Sequence, residues 1–165
     1  MIIDNRNQQP KNVYLSNANQ TFNNTGKTWL IVSKNADVSL SKLVLKGRAH
    51  LAVHRTNLPF VNIKAKLFEG DFSGQIHVPE KVNLTVRQAS IFFPASFRVY
   101  DGGHIGLPEK ITLDSFANKD VSIDGTISGV EDLTVSSGVR LVFGEKVTFS
   151  SLLILFMSNY EFWKA

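Results

Sequence analysis

The sequence contains no cysteine, which removes a disulfide framework and every cysteine-ligated zinc or iron–sulfur site from consideration. It also lacks a long apolar run. The most hydrophobic stretch, Leu152-Leu-Ile-Leu-Phe-Met157, falls far short of the roughly 20 residues that cross a bilayer as a helix, so it reads as a buried strand or a capping segment and no membrane span is expected. Charge is sparse at 19% of residues, and the net excess of +4 is too mild to argue for nucleic acid by itself. The opening residues, Met1 to Pro10, carry acid and amide side chains where a secretion signal needs an apolar stretch. No signal peptide is visible in this chain, and an extracellular or cell-surface location is expected where it forms part of a longer secreted chain. Helical periodicity is missing too: no window ahead of the last few residues carries an apolar stripe at helical spacing.

What is present is alternation. From Trp29 onward, apolar and polar residues take turns in many short runs, among them Leu51-x-Val53, Ile63-x-Ala65-x-Leu67, Val82-x-Leu84-x-Val86, Val121-x-Ile123, Leu133-x-Val135 and Val147-x-Phe149. A period of two over this many segments marks strands with one buried face. The chain of 165 residues, 43% of them hydrophobic, suits a single core. Residues 1–28 are rich in Asn and Gln and hold turn formers such as Asn23-Asn-Thr-Gly26, which predicts a loosely ordered leader. Residues 29–151 form the expected β-repeat domain, and 152–165 an apolar C-terminal capping segment suited to closing an open end or to end-to-end contact.

The strands repeat. Val78-Pro-Glu-Lys-Val-Asn-Leu84 returns as Leu107-Pro-Glu-Lys-Ile-Thr-Leu113, and more faintly at Val130-Glu-Asp-Leu133. Leu43-Val-Leu45 with Leu51-Ala-Val53 matches Leu133-Thr-Val135 with Leu141-Val-Phe143 position for position, and Leu84-Thr-Val86 with Ile91-Phe-Phe93 is a third copy. One such unit cannot bury its apolar side alone, so it must stack on the next. The fold expected is all-β: a short single-stranded β-solenoid, parallel β-helix-like, with irregular repeats and Pro79, Pro94 and Pro108 at unit edges. The alternative is an antiparallel β-sandwich or jelly roll, favoured by Asp124-Gly125 between two alternating runs, which is a strong hairpin signal.

The segments from Ile127 to Phe143 and from Phe97 to Gly106, each a strand followed by a glycine turn and a second strand, resemble units of the β-helical repeats in very large animal cell-surface and matrix proteins, the fibrocystin-like group among them. The resemblance covers residues 38 to 149. It implies an extracellular scaffold or adhesive role and brings no catalytic residues with it.

Candidate chemistry is thin. Polysaccharide hydrolases and lyases built on solenoids need facing carboxylates, for which Asp101, Asp114, Asp120, Asp124, Glu131 and Asp132 are the candidates. Asp101-Gly-Gly-His104-Ile-Gly106 resembles one phrase of polygalacturonase-like enzymes, but the partner phrases are absent. No catalytic residue is therefore assigned, although a carbohydrate-active β-helix enzyme stays open as the rival reading. No cofactor or metal is expected either. His50 and His54 share the outward face of a strand about 13 Å apart, too far to chelate one ion. Of the three glycosylation sequons, the one at Asn83 falls on an outward position between Val82 and Leu84.

Charge segregation is the clearest non-random feature. No acid lies between Asp37 and Glu69, a stretch that holds Lys42, Lys46, Arg48, Arg55, Lys64 and Lys66. With Leu43, Leu45, Leu51 and Val53 pointing inward, Lys42, Lys46, Arg48, Lys64 and Lys66 fall outward, and strands stacked about 4.8 Å apart would merge them into a basic face. Together with the surface or matrix role that the resemblance implies, that face leads to the expectation of a non-enzymatic structural or interaction module, a fragment of a β-helical surface or matrix protein, whose partner is an anionic polysaccharide or another protein surface. Nucleic acid is not expected, because no aromatic residues interleave with these charges as stacking platforms.

Overall fold

Alternating side chains become a fold here because each strand of the winding, from Lys27 onward, finds a parallel neighbour one turn away along the chain. The computed structural model describes residues 1–4, 6, 12–17, 20–25, 27–32, 37–55, 57–150 and 154–157. Ahead of the winding lie β1 (Ile2–Asp4) and the antiparallel pair β2 (Asn12–Asn17) and β3 (Gln20–Thr25). Successive passes are then β4 (Lys27–Val32) and β5 (Asp37–Lys46); β6 (His50–Arg55) and β7 (Val61–Gly70); β8 (Gly74–Val78) and β9 (Val82–Gln88); β10 (Ala95–Val99), β11 (His104–Gly106) and β12 (Lys110–Leu113); β13 (Asp120–Ile123), β14 (Thr126–Ser128) and β15 (Asp132–Val135); β16 (Arg140–Phe143), β17 (Thr148–Phe149) and β18 (Ile154–Met157). Side one of the molecule stacks β4-β6-β8-β10-β13-β16, side two β1-β5-β7-β9-β11-β14-β17, and side three β12-β15-β18. The chain is a β-solenoid of about five turns, all-strand among the described residues. Paired residues one turn apart are separated by as few as 20 positions (Asp120 with Arg140) and as many as 25 (His50 with Gln75).

Register explains the core. On side two, Val38, Ile63, Leu84, Ile105, Ile127 and Phe149 fall in line, each the partner of the next. On side one the matching column runs Leu51, Ile76, Phe97, Val121 and Leu141, and on side three Ile111 pairs Leu133. Leu43, Leu84 and Leu133 all belong to the one buried cluster. Each fully buried Leu, Ile or Phe contributes about 1.5–3 kcal/mol relative to exposure, and stacking like on like keeps the cluster continuous from turn to turn. The Leu51-Ala-Val53 and Leu141-Val-Phe143 halves of the repeated phrase are true equivalents, because Leu51 leads to Leu141 through four successive pairings.

Three sequence expectations need correction. Asp124-Gly125 makes no hairpin: β13 pairs with β10 and β16 on side one, while β14 pairs with β11 and β17 on side two. Gly125 is instead a corner packed so closely on the turn below that a Cβ would overlap the carbonyl oxygens of Gly103 and Tyr100. The sandwich alternative is thereby excluded, since the three main sheets are parallel throughout. The two Pro-Glu-Lys phrases are also not equivalent positions. The Val78 phrase turns the chain from side one to side two, whereas the Leu107 phrase turns it from side two to side three. Likewise Leu84-Thr-Val86 lies on side two, so it is not a copy of Leu133-Thr-Val135 on side three.

The long strands β5 and β7 bend within themselves. In β5 the alternation breaks at Ser41 and Lys42, both exposed, before Leu43, Val44 and Leu45 are all buried. In β7 it breaks after Lys66, and buried Phe68 then packs on Phe93 with ring centroids 5.3 Å apart. Of residues 1–28, Ile2–Asp4 pairs in parallel with the end of β5. Of residues 152–165, Ile154–Met157 continues side three beyond β15. The remainder of the capping segment, including Tyr160, Phe162 and Trp163, lies outside the described residues.

Candidate functional site

The corners that carry the chain from side three back to side one stack on one another and border an open groove. The first is Gly47-Arg48, and the second is Asp71-Phe72-Ser73. Gly47, Arg48 and Phe72 all have positive φ, at 61°, 60° and 65°. For Arg and Phe this left-handed backbone carries a steric cost that glycine would avoid. Asp71 holds both corners together: its carboxylate accepts the Gly47 amide at 2.8 Å, the Ser73 amide at 3.1 Å and the Ser73 hydroxyl at 2.5 Å. Ser73 Oγ in turn accepts the Arg48 amide at 2.8 Å. Burial pushes the Asp71 carboxyl up, but the Gly47 amide and the two Ser73 donors outweigh it and leave the group below its ordinary value.

Two turns on, the corresponding corner is longer and runs from Asp114 to Lys119. It is pinned from inside by Asn118, whose side chain is wholly buried. Asn118 Nδ2 donates to the Ala95 carbonyl at 2.5 Å, and Oδ1 accepts the Asp114 amide at 3.1 Å. The loop so held displays Phe116, 59% exposed. Its ring meets Phe72 edge-on at 4.9 Å and Phe92 at 6.2 Å. Between these corners lies an open groove of about 580 Å³, bordered by Arg48, His50, Phe72, Gln75, Phe116, Lys119 and Asp120 among others. Asp120 is the single acid on its wall and is paired with Arg140 at 2.7 Å. Among the described residues no acid stands within ion-pair distance of Arg48 or Lys119, so the groove is net positive. Next to it, His50 and His77 have ring centroids 5.7 Å apart, and the His77 Nδ1 lies 3.0 Å from the Tyr100 hydroxyl.

The five cations singled out in the sequence do not form one face. Lys42 is tied to Glu69 at 2.7 Å. Lys46 stands opposite Asp4 at the end of β5. Arg48 borders the groove. Lys64 and Lys66 project from β7 on side two, several residues back from Lys46 along the direction of the strands. Arg87, which sequence reading passed over, joins them: Ala65 pairs Val86 and Leu67 pairs Gln88, so Lys66 and Arg87 occupy neighbouring outward positions. The aromatic residues that border the groove with Arg48 were equally invisible along the chain, because Phe72 and Phe116 come from other turns.

Elsewhere the polar groups are engaged with one another. Asp101 pairs with Lys146 at 2.6 Å and Asp132 with Lys110 at 2.8 Å. Asp114 accepts the Phe116 amide, and Asp124 the Lys146 amide. These acids are spread over different corners, and Asp120 alone of the six candidates borders the groove. A glycoside-cleaving pair would need a second carboxylate across it, about 5–9.5 Å away. On the outer surface of side two a polar ladder climbs the turns. Asn83 Nδ2 donates to Asn62 Oδ1 at 2.7 Å, and Asn62 Nδ2 to Asp37 at 2.9 Å. Asn83 is therefore outward as the alternation requires, with its amide nitrogen held in the ladder. One turn up, His104 Nε2 lies 2.6 Å from Ser128 Oγ, and burial lowers the pKa of this imidazole. Among the described residues no three His, Asp or Glu side chains gather as metal ligands, and no helix is long and apolar enough to cross a membrane. No family model, curated protein or solved structure matches the chain.

Proposed function

We propose that the chain is a non-enzymatic structural or interaction module, a stretch of a β-helical surface or matrix protein of the kind the fibrocystin-like resemblance implies, and that it contacts anionic glycans. The observation that carries this reading is the trio Lys64, Lys66 and Arg87 on the outer surface of side two. These cations sit on adjacent strands of a rigid parallel sheet, exposed, with no acid in ion-pair reach among the described residues. Strands about 4.8 Å apart hold such charges at a fixed short spacing, and clustered like charge raises the local concentration of a polyanion. Exposed attraction of this sort is screened by salt.

Heparin-affinity chromatography of the full chain tests it. The wild type is expected to be retained at low salt, and the Lys64→Ser, Lys66→Ser, Arg87→Ser variant to elute earlier with unchanged thermal stability. Equal elution of the two proteins would remove this surface from the account.

A further inference from the structure

We infer that the corner groove is a subsite for one acidic sugar unit of a carboxylated or sulfated glycan, with Arg48 and Lys119 holding its anionic group and Phe116 packing against its ring. The inference rests on the glycan reading above but concerns a different surface and a different contact, local recognition of a single unit.

Three independent features of the groove converge. The first is size: about 580 Å³ lies within the range of small-ligand sites, and the open side lets a longer chain continue in both directions. The second is charge. Two cations border the groove, while its one carboxylate, Asp120, is already neutralised by Arg140, so a bound anion gains charge-assisted hydrogen bonds without facing an unpaired acid. The third is the aromatic surface. Phe116 is 59% exposed, yet its ring is braced edge-on by Phe72 and its loop is pinned by the buried Asn118. A fixed, exposed ring offers a flat apolar surface to the C–H face of a pyranose at little entropic cost, because the ring is already positioned.

Backbone geometry adds a fourth point. Arg48 and Phe72 sit at successive corners in the left-handed region, where glycine is the residue of least cost. Strain of this kind is concentrated at ligand-contacting positions. Glycine at either corner would free the backbone but would take away the guanidinium or the ring that braces Phe116. A single-stranded nucleic acid fits less well, since it needs a run of cations that track successive phosphates, and among the described residues only two lysine or arginine side chains border this groove.

The test is isothermal titration of the full chain with three probes: trigalacturonate, a heparin tetrasaccharide and neutral maltotriose. Binding of at least one charged probe and none of maltotriose is expected, and which charged probe binds more tightly tells carboxylate from sulfate. Arg48→Gly should weaken binding roughly tenfold or more while leaving the melting temperature equal or higher, because it removes backbone strain. Phe116→Ala should also weaken it. The Lys64→Ser, Lys66→Ser, Arg87→Ser variant should bind these short probes as the wild type does. Wild-type affinity in Arg48→Gly overturns the subsite, as does equal binding of maltotriose. So does a decathymidylate or an aspartate-rich peptide that binds more tightly than either charged saccharide. If the short probes bind as expected while heparin retention is indifferent to Lys64, Lys66 and Arg87, the subsite stands and the broad basic surface falls. The reverse pattern sinks the subsite alone.

Discussion

Asn118→Ala is the substitution whose cost follows most directly from the structure. The side chain is wholly buried and bonded at both ends, to the Ala95 carbonyl one turn below and to the Asp114 amide across its own loop. Alanine leaves the Ala95 oxygen without its donor in a place water does not reach, which costs about 1–3 kcal/mol. Loss of the second bond and of side-chain packing brings the total to roughly 2–4 kcal/mol. In a chain of this size each kcal/mol lowers the melting temperature by about 2–4 °C, so a fall of roughly 5–15 °C is expected. Urea unfolding followed by circular dichroism should show a lower midpoint at an unchanged slope, the mark of lost native stability and not of a changed denatured state. Lys119→Ala, one residue on but exposed, should stay within about 0.5 kcal/mol of the wild type. The same loop carries Phe116, so saccharide binding in the groove should weaken in Asn118→Ala. A loss of stability no larger than that of the Lys119 control would show that Asn118 is not what ties the corner to the turn beneath it.

Two further outcomes follow from other corners. Gly125→Ala should destabilise by about 1–3 kcal/mol or more, because its Cβ meets backbone oxygens of Gly103 and Tyr100, which cannot yield without parting the turns; a melt that matches the wild type would refute the close approach. Asp71 has a folded pKa below its ordinary 3.8, so its ionised form contributes stability present at neutral pH and lost as the pH falls below 3.8 through the folded value. Thermal melts should therefore find Asp71→Asn less stable than the wild type at pH 7, with the gap narrowing on acidification to pH 3; a gap independent of pH would mean the carboxylate charge is not what holds the Gly47 and Ser73 donors.

Much of the architecture is legible along the chain, and particular residues show why. Period-two alternation assigns Leu51, Ile63, Leu84, Val121 and Leu133 to the interior, and all five are buried there, because a strand that buries one face leaves no other choice for its apolar residues. The expectation fails where a local phrase is asked to carry global information. Val78-Pro-Glu-Lys and Leu107-Pro-Glu-Lys both encode a bend into a strand, yet which corner each one makes depends on how much chain has already been wound. Asp124-Gly125 encodes a turn equally well in a hairpin and in a solenoid corner. It becomes the latter because β13 and β14 each find their hydrogen bonds in the turns above and below. The bends inside β5 and β7 escaped for the same reason: Lys42-Leu43-Val44-Leu45 breaks the alternation without glycine or proline to announce it.

The candidate site divides in the same manner. Lys64 and Lys66, two residues apart on one strand, share a face by the geometry of the backbone alone, so the chain itself determines that they project together. It likewise determines the all-β class, since period-two alternation leaves those side chains no helical face to bury, whereas the choice of stacked parallel turns over a sandwich belongs to the tertiary structure. Only the tertiary structure decides that Arg48, Phe72 and Phe116 border one groove, that Lys42 is neutralised by Glu69, and that Arg87 stands beside Lys66. Those contacts join different turns of the solenoid, and their register is set by corner loops of unequal length that no local pattern counts.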